Sequence, residues 1–123
     1  MTQLRQQLRS LLHVEPREGG FVATMRVDPN LLVLPDHFPN QPILPGFCMV
    51  QAMLIASGVA CGGVELHLTE LKNAKLMQPI HPGETITFDA TLVQSDDELA
   101  VRARLLVDGR RCADLSLNAG AVA

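Results

Sequence analysis

The sequence predicts an α+β fold in which an antiparallel sheet wraps around one long buried helix. Its 123 residues suit a single domain spanning 1–123. Residues 46–61 carry no charge on any side, which predicts a central helix that is buried all round. Most of the chain after them alternates between apolar and polar residues, as strands do. A helix without a polar face needs cover on every side, so the sheet is expected to wrap it.

The first part of the chain predicts a helix, a strand and a stiff loop. Four leucines at helical spacing predict an amphipathic helix over residues 1–12: Leu4, Leu8, Leu11 and Leu12. Pro16 and the pair Gly19–Gly20 interrupt the pattern, and residues 21–27 then alternate as in a strand. Residues 31–46 contain four prolines, each of which restricts the backbone. A long, stiff loop of this kind is more typical of a functional site than of a linker.

The second part of the chain predicts strands that follow one another through short turns. They are expected over residues 65–80, 85–93, 99–107 and 111–117, and the first is long enough to bend. Asp108-Gly109 is a strong signal for a two-residue hairpin turn. Together with the helices, these strands complete a two-layer α+β arrangement.

Composition excludes several classes of protein. The net charge of −3 and the 3% of aromatic residues argue against a nucleic-acid partner, which needs basic and aromatic surfaces. The three cysteines have no C-x-x-C spacing, so buried free thiols in a reducing cytosol are expected rather than a metal site. The N-terminus lacks an apolar signal core, and prolines and glycines interrupt the uncharged stretch 38–64. We therefore expect a soluble, cytoplasmic protein with no cofactor and no membrane partner.

Two stretches resemble the bacterial 3-hydroxyacyl-[acyl-carrier-protein] dehydratases. Residues 37–53 read HFPNQPILPGFCMVQAM. The family pattern there is H-F-P-x-x-P-x-x-P-G, four variable residues, then Glu or Asp and a small residue. Residues 68–84 look like the family's later strand, which ends in V-x-P-G-D.

The resemblance covers roughly residues 21–117. It implies a hotdog fold and a homodimer whose sheets pair edge to edge, with active sites drawn from both chains. A higher oligomer or a heterodimer with a paralogue stays open.

The resemblance also implies a hydro-lyase that dehydrates 3-hydroxyacyl thioesters, carried on acyl carrier protein or CoA, in fatty-acid-like or polyketide-like biosynthesis. Such a reaction needs a base for the C2 proton, donors for the thioester oxygen and an acid for the departing hydroxyl. His37 matches the family's base, and an imidazole with an ordinary pKa near ~6.5 is largely neutral at physiological pH. The N–H of Gly46 or Phe47 begins the helix and is expected to hold the thioester oxygen. Phe38 and Pro45 lie in the same motif and are expected to contact the substrate.

Gln51 departs from the family pattern, because the family has a carboxylate at this place and an amide has no proton to give. In one account His37 makes both proton transfers and Gln51 holds the hydroxyl or a water, which gives a slow dehydratase. In a second, a different subunit supplies the acid. In a third, dehydration is lost, and the chain binds acyl thioesters or hydrolyses them as hotdog thioesterases do. Loss of a general acid typically costs about 10²–10⁴-fold. Asp36, the nearest carboxylate, is better explained as a loop cap.

Other residues give weaker signals. Cys48 is better explained as core packing than as a nucleophile. Six basic residues are candidates to receive an acidic carrier protein or a phosphopantetheine phosphate, although solvated strand faces explain each of them more simply. They are Lys72, Lys75, Arg102, Arg104, Arg110 and Arg111.

Overall fold

A computed structural model describes residues 2–31 and 43–122. The described elements are α1 (Thr2–Leu11), β1 (Leu12–Arg17), β2 (Gly20–Arg26), α2 (Gly46–Ala60), β3 (Leu66–Leu76), β4 (Thr85–Ser95), β5 (Glu98–Val107) and β6 (Arg110–Ala121). These strands form one antiparallel sheet with the order β1-β2-β4-β5-β6-β3. The predicted α+β class is confirmed.

Strand β1 was not predicted. The helical pattern was expected to run through Leu12, but α1 ends at Leu11 and Leu12 begins the strand. Pro16, expected to break the chain, lies within β1 opposite Phe21. An edge strand tolerates proline because its outward side needs no ladder donor. Gly19, with φ +75°, turns the chain into β2.

The predicted alternation places one face of the sheet in the core. Strands β2, β4, β5 and β6 bury every second side chain against α2, and polar side chains occupy the opposite face. Leu4 and Leu8 of α1 are also buried. The largest fully buried side chains in the strands include Phe21, Met25, Ile86, Phe88, Leu105 and Leu117. The inner face of these strands packs against α2.

Strand β3 differs from the other strands, because Leu66 is its one buried residue. It lies at the edge of the sheet and pairs with β6 through two register shifts. Leu68, Leu71 and Leu76 lie opposite inward-facing residues of β6, so they share the inner face, yet each is exposed. The inner face of β3 is therefore left open within the described chain.

An open apolar surface results, which we define as Phe47, Leu68, Leu71, Leu76 and Met77. Each of these side chains is at least 38% exposed. Single exposed apolar residues are common on protein surfaces, but a group of large ones at a free sheet edge indicates an interaction surface.

The cysteines do not share one environment. Cys48 and Cys112 are buried, as expected, but Cys61 is exposed. Its position explains the difference, because Cys61 caps the C-terminal end of α2, where the chain turns outward. Within the ranges 2–31 and 43–122, the helices are too short or too polar to span a membrane.

Candidate active site

The start of α2 presents the backbone N–H of Gly46. Pro45 is the N-cap residue, with φ −66° and ψ 149°, and its own side chain makes no cap hydrogen bond. The first N–H groups of a helix have no intrahelical acceptors, and proline has no N–H. The N–H of Cys48 turns back to the carbonyl oxygen of Pro45, 3.1 Å away. The amide of Gly46 therefore lies at the positive end of the helix dipole, where it suits an oxygen that gains negative charge.

The second motif stretch holds the helix start in place. The N–H of Leu44 donates to the carbonyl oxygen of Ile80 at 2.7 Å, and Ile80 is fully buried. Glu84 stabilises the turn that follows Ile80, since its Oε1 accepts a hydrogen bond from the backbone N–H of His81 at 2.7 Å. The Glu84 carboxylate also contacts the guanidinium of Arg110 at 3.3 Å. The two stretches that resemble the dehydratases thus meet at the beginning of α2.

Gly46 allows the end of β3 to approach the helix start. A Cβ at this position would lie 3.3 Å from Cδ1 of Leu76. That atom is the tip of a flexible, 55% exposed side chain, so a small shift would accommodate a methyl group. Leu76 therefore borders the space beside the Gly46 amide.

Gln51 has an unsatisfied acceptor. It lies four residues after Phe47 and so occupies the same face of α2. Its Oε1 is buried and has no hydrogen-bond partner within the described chain. Leaving such an acceptor unpaired costs about 1–3 kcal/mol. A donor from a bound molecule, a water or another chain would satisfy it.

The same face of α2 continues into a cavity. Ile55 and Val59, at further four-residue intervals, line a space of about 390 Å³ together with Leu54. Arg5 and Arg9 of α1 stand at its rim. The lining is mixed, with aliphatic side chains from α2 and polar ones from α1, and it lies further along the helix from Gly46.

Cys48 is unsuited to nucleophilic chemistry, although it lies in the first turn of α2. Burial raises the pKa of its thiol to about 11, so the thiol stays protonated at neutral pH. This agrees with the expectation of core packing. Within residues 2–31 and 43–122, no three His, Cys, Asp or Glu side chains gather as metal ligands.

The structure places four of the six predicted site residues at the first turns of α2: Pro45, Gly46, Phe47 and Gln51. His37 and Phe38 lie outside the described residues, as does Asp36. Their roles stay predictions from the resemblance.

Sequence reasoning missed two contributors to this site. Glu84 occupies the place of the acidic residue that ends the V-x-P-G-D motif, which was a usable signal. Leu76 gave no signal, because its contact with Gly46 depends on how β3 packs.

The fold and the helix-start site define a hotdog protein of the thioester-dehydratase class. The chain belongs to the ApeI-like family, since residues 13–114 match the family model described as ApeI dehydratase. It is 31% identical to the 3-hydroxyacyl-[acyl-carrier-protein] dehydratase FabZ of Latilactobacillus sakei, over 88% of this chain and 81% of that protein. The FabZ of Thermus thermophilus is 30% identical over 85% of this chain and 80% of its own length.

Solved structures give the same fold. The dehydratase heterocomplex ApeI:P from Xenorhabdus doucetiae superposes with a TM-score of 0.71 and 22% identity, covering 88% of this chain and 94% of the other. A hypothetical thioesterase of Streptococcus pneumoniae, solved with coenzyme A, gives a TM-score of 0.69 at 13% identity, covering 99% and 96%. The predicted hotdog fold and the predicted family are confirmed.

Proposed function

We propose that this chain dehydrates 3-hydroxyacyl thioesters at the start of α2. The unsatisfied Oε1 of Gln51 is the observation that carries the proposal. Gln51 lies five positions after Gly46, a rise of about 7.5 Å along the helix. In this arrangement the Gly46 amide holds the thioester oxygen and Gln51 holds the 3-hydroxyl, with C1, C2 and C3 of the substrate between the two groups. The reaction class agrees with the family to which the chain belongs.

In this reaction His37 removes the C2 proton, and the C–H electron pair forms the C2=C3 double bond as the C3–O bond breaks. Charge that develops on the thioester oxygen is stabilised at the helix start, with Gly46 as the principal donor. The imidazolium of His37 returns its proton to the departing hydroxyl, which leaves as water. Gln51 accepts a hydrogen bond from the hydroxyl and orients it, but supplies no proton. The product is a 2-enoyl thioester.

The substrate is carried on an acyl carrier protein, as the names of the FabZ relatives say of those proteins, with CoA as the alternative carrier. Its acyl chain follows the helix face from Phe47 towards the cavity at Ile55 and Val59. Leu54, Ile55 and Val59 form the aliphatic part of its lining, which suits a hydrocarbon chain. The pathway is fatty-acid-like or polyketide-like biosynthesis.

The assembly that we propose is a homodimer in which a second copy covers the open apolar surface. Pairing of two β3 edges would extend the sheet, remove the free edge and shield the leucines on its inner face. A paralogous subunit that carries the missing acid is the alternative. The Xenorhabdus neighbour is a dehydratase heterocomplex, and Gln51 leaves a proton donor to be supplied.

A direct spectroscopic assay tests the dehydratase activity. Purified protein is mixed with 3-hydroxyacyl and 2-enoyl thioesters, and the absorbance of the conjugated product is followed. We expect slow turnover that His37→Ala abolishes and that Gln51→Glu raises by about 10²-fold or more, since a general acid is restored. His13→Ala, at an exposed histidine in β1, serves as the matched control. No turnover in either direction, or unchanged turnover in His37→Ala, rejects the proposal.

Two further measurements separate the alternatives. Release of free thiol from acyl-CoA would indicate thioester hydrolysis, although α2 offers no carboxylate and its Cys48 thiol is protonated. Sedimentation of the purified chain tests the assembly, with Leu71→Asp expected to shift it towards monomer. A homogeneous, fully active homodimer would exclude the paralogue, whereas activity that appears only with a second hotdog chain would favour it.

A further inference from the structure

The outer face of the sheet, opposite α2, carries a cationic groove. It has a volume of about 490 Å³ and crosses β4, β5 and β6, with contributions from the ends of β1 and β3. Its charged lining consists of four guanidinium groups and two carboxylates: Arg17, Arg102, Arg104, Arg111, Asp89 and Asp114. A local excess of positive charge is notable in a chain whose net charge is −3. The groove is separated from the helix start by the thickness of the sheet.

Both carboxylates in the groove are already paired. Asp89 accepts a hydrogen bond from the guanidinium of Arg17. Asp114 receives Arg111 through both of its oxygens, with Nε to Oδ1 at 2.9 Å. The Arg111 hydrogen bond holds the pKa of the Asp114 carboxyl below its usual range, and the charge of Arg104 lowers it further. Asp89 and Asp114 also lie directly across the strands from Arg104, so Arg104 is partly compensated.

Arg102 differs because its cross-strand row contains no carboxylate. It lies opposite Thr91 on β4 and opposite Ser116 on β6, and Ser116 lies opposite Asn73 on β3. No ion pair or hydrogen bond to Arg102 occurs in residues 2–31 and 43–122. The Arg102 guanidinium, the two hydroxyl groups and the amide can all donate hydrogen bonds, and this row contains no anion to accept them.

We propose that this groove binds a phosphate group, centred on Arg102. The planar guanidinium matches two phosphate oxygens in a bidentate pair. Neighbouring strands are about 4.8 Å apart, so the hydroxyls of Thr91 and Ser116 flank an anion that lies over Arg102. Arg104, on the same face two residues along β5, adds positive charge. A tetrahedral anion uses donors from three strands, whereas a carboxylate offers only two oxygens in one plane.

The ligand class is a phosphate or phosphate ester. Free phosphate and the phosphate ester of a CoA-type thioester carrier share this chemistry. The site is distinct from the proposed catalytic site, and its existence does not depend on dehydration.

Calorimetric titration tests the groove, with sodium phosphate as the probe and constant ionic strength maintained with sodium chloride. We expect saturable binding at one site and at least tenfold weaker binding in Arg102→Gln. Arg26→Gln is the matched control, because Arg26 is exposed at the end of β2 and does not line the groove. Circular dichroism checks that both variants fold. No saturable binding, equal weakening in both variants, or undiminished binding in Arg102→Gln would overturn the proposal.

A second titration with CoA identifies the source of the phosphate. If Arg102→Gln weakens CoA binding by the same factor as phosphate binding, the groove is assigned to a phosphate ester. Binding of phosphate alone that depends on Arg102 assigns it to the free anion. Turnover of a short thioester that lacks phosphate is expected to be the same in Arg102→Gln and in the wild type. A loss of that turnover would contradict a site separate from catalysis.

Discussion

The two ends of α2 are built differently, although one uncharged segment forms both. At the C-terminal end the chain satisfies its own polar groups. The hydroxyl of Ser57 donates to the carbonyl oxygen of Met53 at 2.7 Å, and the carbonyl oxygen of Gly58 accepts from the N–H groups of Gly63 and Val64 at 2.9 and 3.0 Å. The N–H of Cys61 closes the last turn onto the carbonyl oxygen of Ser57 at 3.0 Å. These polar groups are satisfied within the described chain.

The N-terminal end is incomplete by comparison. The N-cap residue Pro45 makes no side-chain cap bond, Phe47 is 43% exposed and the Oε1 of Gln51 is unsatisfied in the described chain. Such local conflicts tend to mark functional sites, because the remaining partners are supplied by a ligand or another subunit. The difference teaches that the chain satisfies its own polar groups at the C-terminal end of the helix and leaves polar groups for a partner at the N-terminal end.

The largest effect on stability is expected from Gly58→Ala at the C-terminal end of α2, which we call the closed end; the N-terminal end is the open end. A Cβ there would lie 2.1 Å from the carbonyl oxygen of Val64, which is backbone and cannot rotate away. We expect a loss of about 3 kcal/mol or more in the free energy of unfolding, measured by urea denaturation.

Gly46→Ala is the matched variant at the open end. Only the tip of Leu76 has to move there, so we expect a change within about 1 kcal/mol. Equal losses in Gly58→Ala and Gly46→Ala would remove the distinction between the two ends.

A smaller effect, of opposite sign, is expected from Gln51→Met. Methionine has a similar length and no acceptor, so the variant removes an unpaired polar atom. We expect the unliganded protein to gain about 1 kcal/mol in free energy of unfolding, while the dehydration rate falls.

Ser57→Ala is the control for Gln51→Met, because it removes a polar group that is already paired, and it is expected to give no such gain. Destabilisation in Gln51→Met would mean that another subunit, rather than the substrate, satisfies the amide.

The comparison also shows what local sequence can predict. The alternation in β4 and β5 placed both strands within two residues of their ends, because every second side chain faces the same core. Leu71 and Leu76 of β3 carry apolar side chains on the same inner face and are nevertheless exposed. Periodicity reports which residues share a face, but the strand order decides what covers it. That order is set by long-range pairing, which no short window of sequence contains.

Some features of the candidate site could likewise be predicted from local sequence, and others could not. The helix start at Gly46 and the departure at Gln51 could be recognised from the spacing of one motif. The unsatisfied state of Gln51 could not, since it depends on which side chains pack beside the amide. Cys61 was wrongly expected to be buried, because its apolar neighbours did not show that the chain turns outward there.

The smallest effect concerns Cys48, which is buried in the first turn of the open end. The unfolded thiol ionises near its ordinary pKa of 9.0, whereas burial raises the folded pKa to about 11. As pH approaches and passes 9.0 the unfolded chain binds fewer protons than the folded chain, so folding stability falls as pH rises. Between pH 8 and pH 9 the loss attributable to Cys48 is about 0.35 kcal/mol. Urea denaturation at both pH values checks it, with Cys48→Ala expected to remove this contribution.

Cys61→Ala serves as the control at the closed end, because its side chain is exposed and the variant leaves Cys48 in place. The same contrast governs alkylation. Iodoacetamide at pH 8 is expected to modify Cys61 in the folded protein, and to modify Cys48 only after urea has unfolded it. Rapid modification of Cys48 in the folded chain, or an unchanged pH dependence in Cys48→Ala, would show that the open end exposes its first turn to solvent as well as its backbone donors.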